Sequence, residues 1–292
     1  SLGGFVCPVT IAKAELWKVG QVKPGDKIRF IAMDNATAVR LAERQERAVA
    51  SLLAPAEVEW TRPPLTPLNG LSATILAHLP KTDSRPEVAY RQAGDQYILL
   101  EYGENVLDLG ARMRIHALME AIADLQPQGL LELSPGVRSL QLRYDATQLS
   151  QQALMEYLLD LEDRLPPTEQ LKVRSRVIHL PMAFEDSATL EAVDKYRQSV
   201  RDSAPWLPNN VDFIQRINGL SSRELVKEVV YDARYLVLGL GDVYLGAPCA
   251  VPLDPRHRLL TSKYNPARTY TAEGTVGIGG IYMCIYGMDS PG

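Results

Sequence analysis

The sequence predicts an α+β chain: a ferredoxin-like βαββαβ domain over residues 89–180, followed by a β-barrel domain over 181–292, with the last strands of another β domain ahead of both over residues 1–33. Three observations carry this. Between Tyr90 and Leu180, two stretches with apolar residues at steps of three and four alternate with four short strand-like runs. Beyond Pro181, helical stretches give way to many short runs separated by Gly and Pro, the pattern of a barrel. Finally, Pro55, Pro63, Pro64, Pro67, Pro80 and Pro86 interrupt every candidate element there, which marks residues 34–88 as a helix and a linker.

Taken in order, Gly4–Pro8, Trp17–Val22 and Lys27–Ile31 have strand character, and Ile28 and Phe30 alternate as on a half-buried strand. Pro24-Gly25 fits a type II turn, in which Pro presets φ and Gly supplies a positive φ. Asp34 is placed to cap a helix over 36–53 whose apolar stripe is weak. A strand is expected over 96–102. Asn105 then caps a helix carrying Ala111, Ile115, Leu118, Ile122 and Leu125 on one face. Strands follow over 129–133 and 137–144, the second with Leu140, Leu142 and Tyr144 on one side. A helix over 148–165 aligns Leu154, Leu158, Leu161 and Leu165, and residues 172–180 form the closing strand. Helices are expected over 187–202, 211–218 and 221–232. Strands are expected over 235–240, 243–245, 250–251, 269–271 and 275–286.

Composition narrows the function class. With 46% hydrophobic and 23% charged residues, 292 residues suffice for two packed domains, which excludes a disordered or collagen-like chain. Lys and Arg number 31 against 35 Asp and Glu, a net charge of −4, so there is no basic footprint for nucleic acid or an anionic membrane. Cys7, Cys249 and Cys284 form no CxxC pair, which argues against a disulfide framework or a structural zinc site and fits a reducing cytoplasm. A start at Ser1 without methionine and a stop at Gly292 just after dense β signal predict a piece cut from a longer chain.

Candidate chemistry lies in the last third. Gly274–Gly280 is glycine-rich but follows no βα unit, so a dinucleotide or P-loop reading fails on context. Either glycines there let two strands approach closely, or the backbone N–H groups of Gly279 and Gly280 line a pocket for a carbonyl or carboxylate. In Gly239-Leu-Gly-Asp-Val-Tyr-Leu-Gly246, Asp242 either accepts from an amide or amine substrate or supports its own turn. Asp254–Arg258 and Lys263–Arg268 form the densest polar cluster: a site whose cations hold a carboxylate or oxyanion and whose His257 acts as acid or base, or else a solvated loop. His78, His116 and His179 suit packing or surface roles, and no spacing of His with Cys or carboxylates supports a metal.

Several of these segments resemble a known family. Glu132-Leu-Ser-Pro-Gly-Val-Arg-Ser-Leu-Gln-Leu-Arg-Tyr-Asp145 looks like the signature of the "allophanate hydrolase subunit 1" or KipI family. Gly239–Pro248 and Leu253–Arg258 look like the pocket region of its cyclophilin-like domain, and Thr275–Met288 like its closing strands. The wording Gly-Leu-Gly-Asp, Lys-Tyr-Asn-Pro-Ala-Arg and Met-Cys-Ile-Tyr-Gly-Met is similar to the form within the urea carboxylase and urea amidolyase family. Residues 1–30 resemble the end of the KipA-like "subunit 2" half, and the resemblance spans about 1–50 and 88–292.

The resemblance implies the carboxyltransferase part of a biotin-dependent carboxylase, its last domain a cyclophilin-like barrel. Its cofactor would be biotin, arriving as carboxybiotin on a separate carrier domain. ATP and Mg would be used by a separate biotin carboxylase domain of the same polypeptide. The carboxyl group would pass to urea, giving allophanate. On this reading Lys263 or the amides near Gly279 and Gly280 serve the developing oxyanion. Asp242, Tyr264 or Asn265 hydrogen-bond urea, and Arg268 or His257 hold the carboxylate. No ATP-grasp module or biotinylation site is present, and only the tail of the KipA-like half, so the resemblance implies a part that does not turn over alone. Related readings are a guanidine carboxylase, a 5-oxoprolinase subunit and a KipI-like regulatory module that binds a kinase.

Overall fold

The computed structural model describes residues 9–53, 74–125, 127–240 and 248–291. It divides into two compact units, Ser1–Arg174 and Ser175–Gly292.

The first unit begins with a 3-10 turn, Lys13–Glu15, that runs into a short helix, α1 (Leu16–Val19). The Pro24-Gly25 turn forms as expected: Gly25 has φ +97°, and the Asp26 N–H donates to Lys23 O at 3.1 Å. The strands expected within residues 9–33 do not form. Ile28 and Phe30 are exposed, with no partner strand among the described residues, and an unpaired strand leaves its backbone groups unsatisfied. Helix α2 (Asn35–Ser51) starts where predicted, with the Asp34 carboxylate accepting from Thr37 N at 2.7 Å.

A five-stranded antiparallel sheet follows, built from β1 (Ile75–Leu79), β2 (Val88–Gln92), β3 (Tyr97–Tyr102), β4 (Leu130–Pro135) and β5 (Ser139–Tyr144) in the order β1-β2-β3-β5-β4. Helices α3 (Leu109–Leu125) and α4 (Gln151–Arg164) bury Ile115, Leu118, Leu154 and Leu158 with Ile98, Leu100, Leu140 and Leu142 of the strands. The order β3-β5-β4 with α3 and α4 accounts for five of the six predicted elements. The sixth fails: residues 172–180 form no strand, and Val177, Ile178 and Leu180 are exposed. The edge beside β3 is taken by β2, joined to it through a turn at Gly94 (φ +84°), because closing a short hairpin costs less chain entropy than a long return. β1 also falls inside the stretch expected to be linker. The α3 cap is Asp108, which accepts from Gly110 N at 2.7 Å, rather than Asn105, and Leu125 is exposed.

The second unit packs α5 (Ser187–Ser199), α6 (Asn210–Ile217) and α7 (Arg223–Asp232) with an antiparallel sheet of β6 (Tyr235–Leu240), β7 (Pro248–Pro252), β8 (Val276–Gly279) and β9 (Tyr282–Ile285), ordered β6-β7-β9-β8. The strand expected at 269–271 appears only as a single bridge, Thr271 to Ser290, a second bridge joins Thr261 to Gly280, and 243–245 lies outside the described residues. Ile278 of β8 joins Val211, Val226, Val230 and Leu259 in a core beneath the sheet. Tyr196, Trp206 and Phe213 form a second buried cluster beside Tyr264. The architecture is thus mixed α/β with antiparallel sheets in both units.

Candidate active site on the glycine-lined face of the second sheet

Successive strand residues point to opposite faces, and directly paired residues share one. Ala250 pairs with Met283, and Met283 with Ile278, so these three face the α6–α7 core. One residue along, the register runs Gly239–Cys249–Cys284–Gly277 across all four strands, on the other face. Gly279 and its partner Tyr282 share that face, being two residues from Gly277 and Cys284.

Lys263 lies over this face. Its Cε and Cγ stand 3.8 and 3.9 Å from where a Cβ on Gly279 would sit. A Cβ at Gly277 would come within 3.2 Å of the Tyr286 ring, and one at Gly239 would meet nothing within 4 Å. Three glycines therefore leave a flat floor, over which Lys263, Tyr286 and the two thiols are placed. Thr261 sets the approach: its N–H donates to Gly280 O at 2.9 Å and its carbonyl accepts from Gly280 N at 3.0 Å, while its hydroxyl donates to Ile278 O. Because the Gly280 N–H is already committed to Thr261, it is not a donor for a substrate oxyanion.

The rest of the Lys263–Arg268 loop is braced from below. The Tyr264 ring stacks on Trp206 at 5.0 Å and meets Tyr196 edge-on at 4.8 Å. Its hydroxyl donates to the Asn210 side chain at the start of α6, and the Arg268 guanidinium sits 4.7 Å from its ring centroid. Burial pushes the Tyr264 phenol upward, against the opposing influence of Arg268 and Asn210. The Asn265 carbonyl accepts from Arg201 at 2.9 Å, and the Tyr196 hydroxyl donates to Pro266 O at 3.0 Å. Tyr264 and Arg268 thus hold the loop, while Lys263 and Asn265 are exposed on it.

Other candidates fall elsewhere. His257 lines a small apolar crevice with Val230, Pro252, Leu259, Ile278 and Met283, so the sheet separates it from Lys263. Its Nδ1 is buried without a hydrogen-bond partner among the described residues. Asp254 caps the 3-10 turn Pro255–His257 and grips Arg256, whose hydrogen bonds hold the carboxyl down to about 2. Arg258 donates to Pro252 O at 3.1 Å and Leu253 O at 3.4 Å. Apart from His257, that half of the predicted polar cluster therefore satisfies itself. Asp242 lies outside the described residues. His78 pairs with Glu87 and His116 with Glu120 at the surface, His179 is exposed, and no group of three or more metal-binding side chains occurs among the described residues.

Sequence reasoning passed over Asn210, Arg201, Tyr196 and Trp206, which support the loop from α5, the start of α6 and the segment between them, far away in the chain. It also passed over Tyr282, Cys284 and Tyr286, whose alternation already placed them on one face.

Known proteins resemble this chain along its whole length. The model described as "Carboxyltransferase domain, subdomain C and D" matches residues 88–292, and "Carboxyltransferase domain, subdomain A and B" matches residues 1–32. The chain is 50% identical over 293 residues to the urea amidolyase of Lachancea kluyveri and 49% identical over 297 residues to that of Saccharomyces cerevisiae; each alignment takes in 100% of this chain and 16% of the relative. The crystal structure of the Kluyveromyces lactis urea carboxylase matches with a TM-score of 0.72 and 46% identity, over 99% of this chain and 26% of that one. The chain therefore spans about a sixth of the length of these curated relatives. No described helix is long and apolar enough to cross a membrane. The chain belongs to the carboxyltransferase-domain family, with subdomains C and D making up most of its length.

Proposed function

We propose that this chain is the carboxyltransferase part of a biotin-dependent urea carboxylase, which moves a carboxyl group onto urea to give allophanate. The observation that carries this reading is the likeness to urea amidolyases along the whole chain at about half identity. The Cβ-free floor at Gly239, Gly277 and Gly279 supports it, since a flat surface under a cation suits a planar ureido ring lying against the sheet. Carboxybiotin supplies an activated carboxyl group from a carrier domain elsewhere in the same polypeptide. Lys263 presents its ammonium where negative charge develops as that carboxyl group leaves, a task in which one preorganised donor contributes roughly 10²–10³ in rate. Asn265, exposed beside Lys263, offers a side-chain carbonyl and amide to urea. Asp242, in the Gly-Leu-Gly-Asp run of the sequence, is the carboxylate best suited to a urea N–H.

We read the second unit as a cyclophilin-like barrel and the first as a ferredoxin-like layer whose edge is supplied by β2. Exposed Trp17, Ile28, Phe30 and Ile31 suit burial against the remainder of the KipA-like half to which residues 1–33 belong. The carrier and the ATP- and Mg-using biotin carboxylase complete the set of same-chain partners, in a cytoplasmic setting.

The test is ATP turnover by the intact enzyme with urea, guanidine or 5-oxoproline added separately. Urea-stimulated turnover that avidin blocks is expected. Stimulation by guanidine in its place overturns the substrate, and turnover insensitive to avidin overturns the biotin mechanism.

A further inference from the structure

The central register pair of the second sheet is Cys249 of β7 directly opposite Cys284 of β9. Directly opposed Cα atoms in an antiparallel pair are about 4.5 or 5.5 Å apart, and both separations lie within the range a disulfide spans. Both cysteines are reduced here, and the two thiols are close enough to share a hydrogen bond. Their flanking partners in the same row are Gly239 and Gly277, so no side chain from either neighbouring strand stands over the pair within the row. Cys284 is exposed and Cys249 half-buried.

We propose that Cys249 and Cys284 form an oxidant-responsive dithiol that closes to an intramolecular disulfide with a peroxide. The exposed Cys284 sulfur attacks the peroxide, the O–O bond breaks, and one equivalent of water or alcohol leaves as a sulfenic acid forms. The Cys249 sulfur then displaces the sulfenic hydroxyl, which leaves as water with the Cys249 proton. Two thiols are thereby oxidised by two electrons and one peroxide is reduced. The order of attack follows from environment: burial, then the nearby Cys284, push the Cys249 thiol up to about 11, so it resolves rather than initiates. The bridge would tie β7 to β9 on the face that carries Lys263, and its formation does not depend on which substrate that face takes.

The test treats the intact enzyme with hydrogen peroxide, blocks remaining thiols with iodoacetamide, and maps the digest by mass spectrometry. The expected product is a Cys249–Cys284 linked peptide that has lost two hydrogens and is restored to two thiols by dithiothreitol. In Cys249→Ser, Cys284 is trapped as a dimedone adduct; in Cys284→Ser, Cys249 stays reduced. Independent alkylation of both cysteines in the oxidised wild type, or linkage of either to a different cysteine, overturns the proposal. Should a variant fail to fold, the wild-type time course decides: the two cysteines must lose alkylation at the same rate.

Discussion

Arg114 donates from both Nε and Nη2 to the same oxygen of Glu162, at 2.9 and 2.6 Å, with both side chains almost wholly buried. Tyr102 donates to the other carboxylate oxygen at 2.5 Å, and Arg114 also reaches Pro166 O at 3.1 Å. This network joins β3, α3 and the end of α4 inside the first unit. Arg114→Ala leaves a buried, uncompensated carboxylate and is expected to cost about 3–5 kcal/mol, read as a lower denaturant midpoint. The double change Arg114→Met with Glu162→Leu removes both charges and is expected to cost less than the single change.

Lys263→Ala in the intact enzyme should lower urea-dependent turnover about 10²–10³-fold while leaving partial-reaction ATP cleavage at the biotin carboxylase in place. Gly279→Val puts a branched side chain where the Lys263 stem runs, and should reproduce the same loss with Lys263 still present. Equal loss of both half-reactions in either variant would mark a folding defect rather than a site effect.

Tyr264 separates packing from hydrogen bonding. Tyr264→Phe keeps the stack on Trp206 and loses only the bond to Asn210, an expected cost of about 0.5–1.5 kcal/mol. Tyr264→Ala also removes the ring beneath Arg268 and should cost about 3–5 kcal/mol. Chemical denaturation of the two variants side by side measures the difference.

Glu185 makes the second unit acid-sensitive. Its burial disfavours the charge, but the bond from Asn209 at 2.6 Å and the charges of Arg223 and Lys227 outweigh this, so its carboxyl lies below the ordinary value of 4.5. A folded value below the unfolded one gives stabilisation that is full above that ordinary range and lost as pH falls through the folded value. Glu185→Gln should therefore lower stability at neutral pH and flatten its dependence below about pH 4.5, as thermal melts across the acid range would record.

How far the sequence could be read depended on whether each element carries its own signal. Ile115, Leu118 and Ile122, like Leu154, Leu158 and Leu161, repeat at helical spacing, and their helices formed within a few residues of expectation. Residues 27–31 and 172–180 have equally good strand character and form no strand. A strand is stable only with a partner to take its hydrogen bonds, and no local pattern says whether a partner will be there. Asn105 and Asp108 are both capping residues in one short stretch, and only the final register of α3 chose Asp108.

The site divides in the same way. The sequence by itself determined that Lys263, Tyr264, Asn265 and Arg268 would share one loop, that glycines would cluster in the closing hairpin, and that the chain resembles a carboxyltransferase. Only the tertiary structure decided which of these face each other. Pairing of β7, β9 and β8 put Lys263, Gly279 and the two cysteines on one side of a sheet and His257 on the other. That outcome rests on register, since a shift of one residue would exchange the faces, and register is set by contacts between segments distant in the chain.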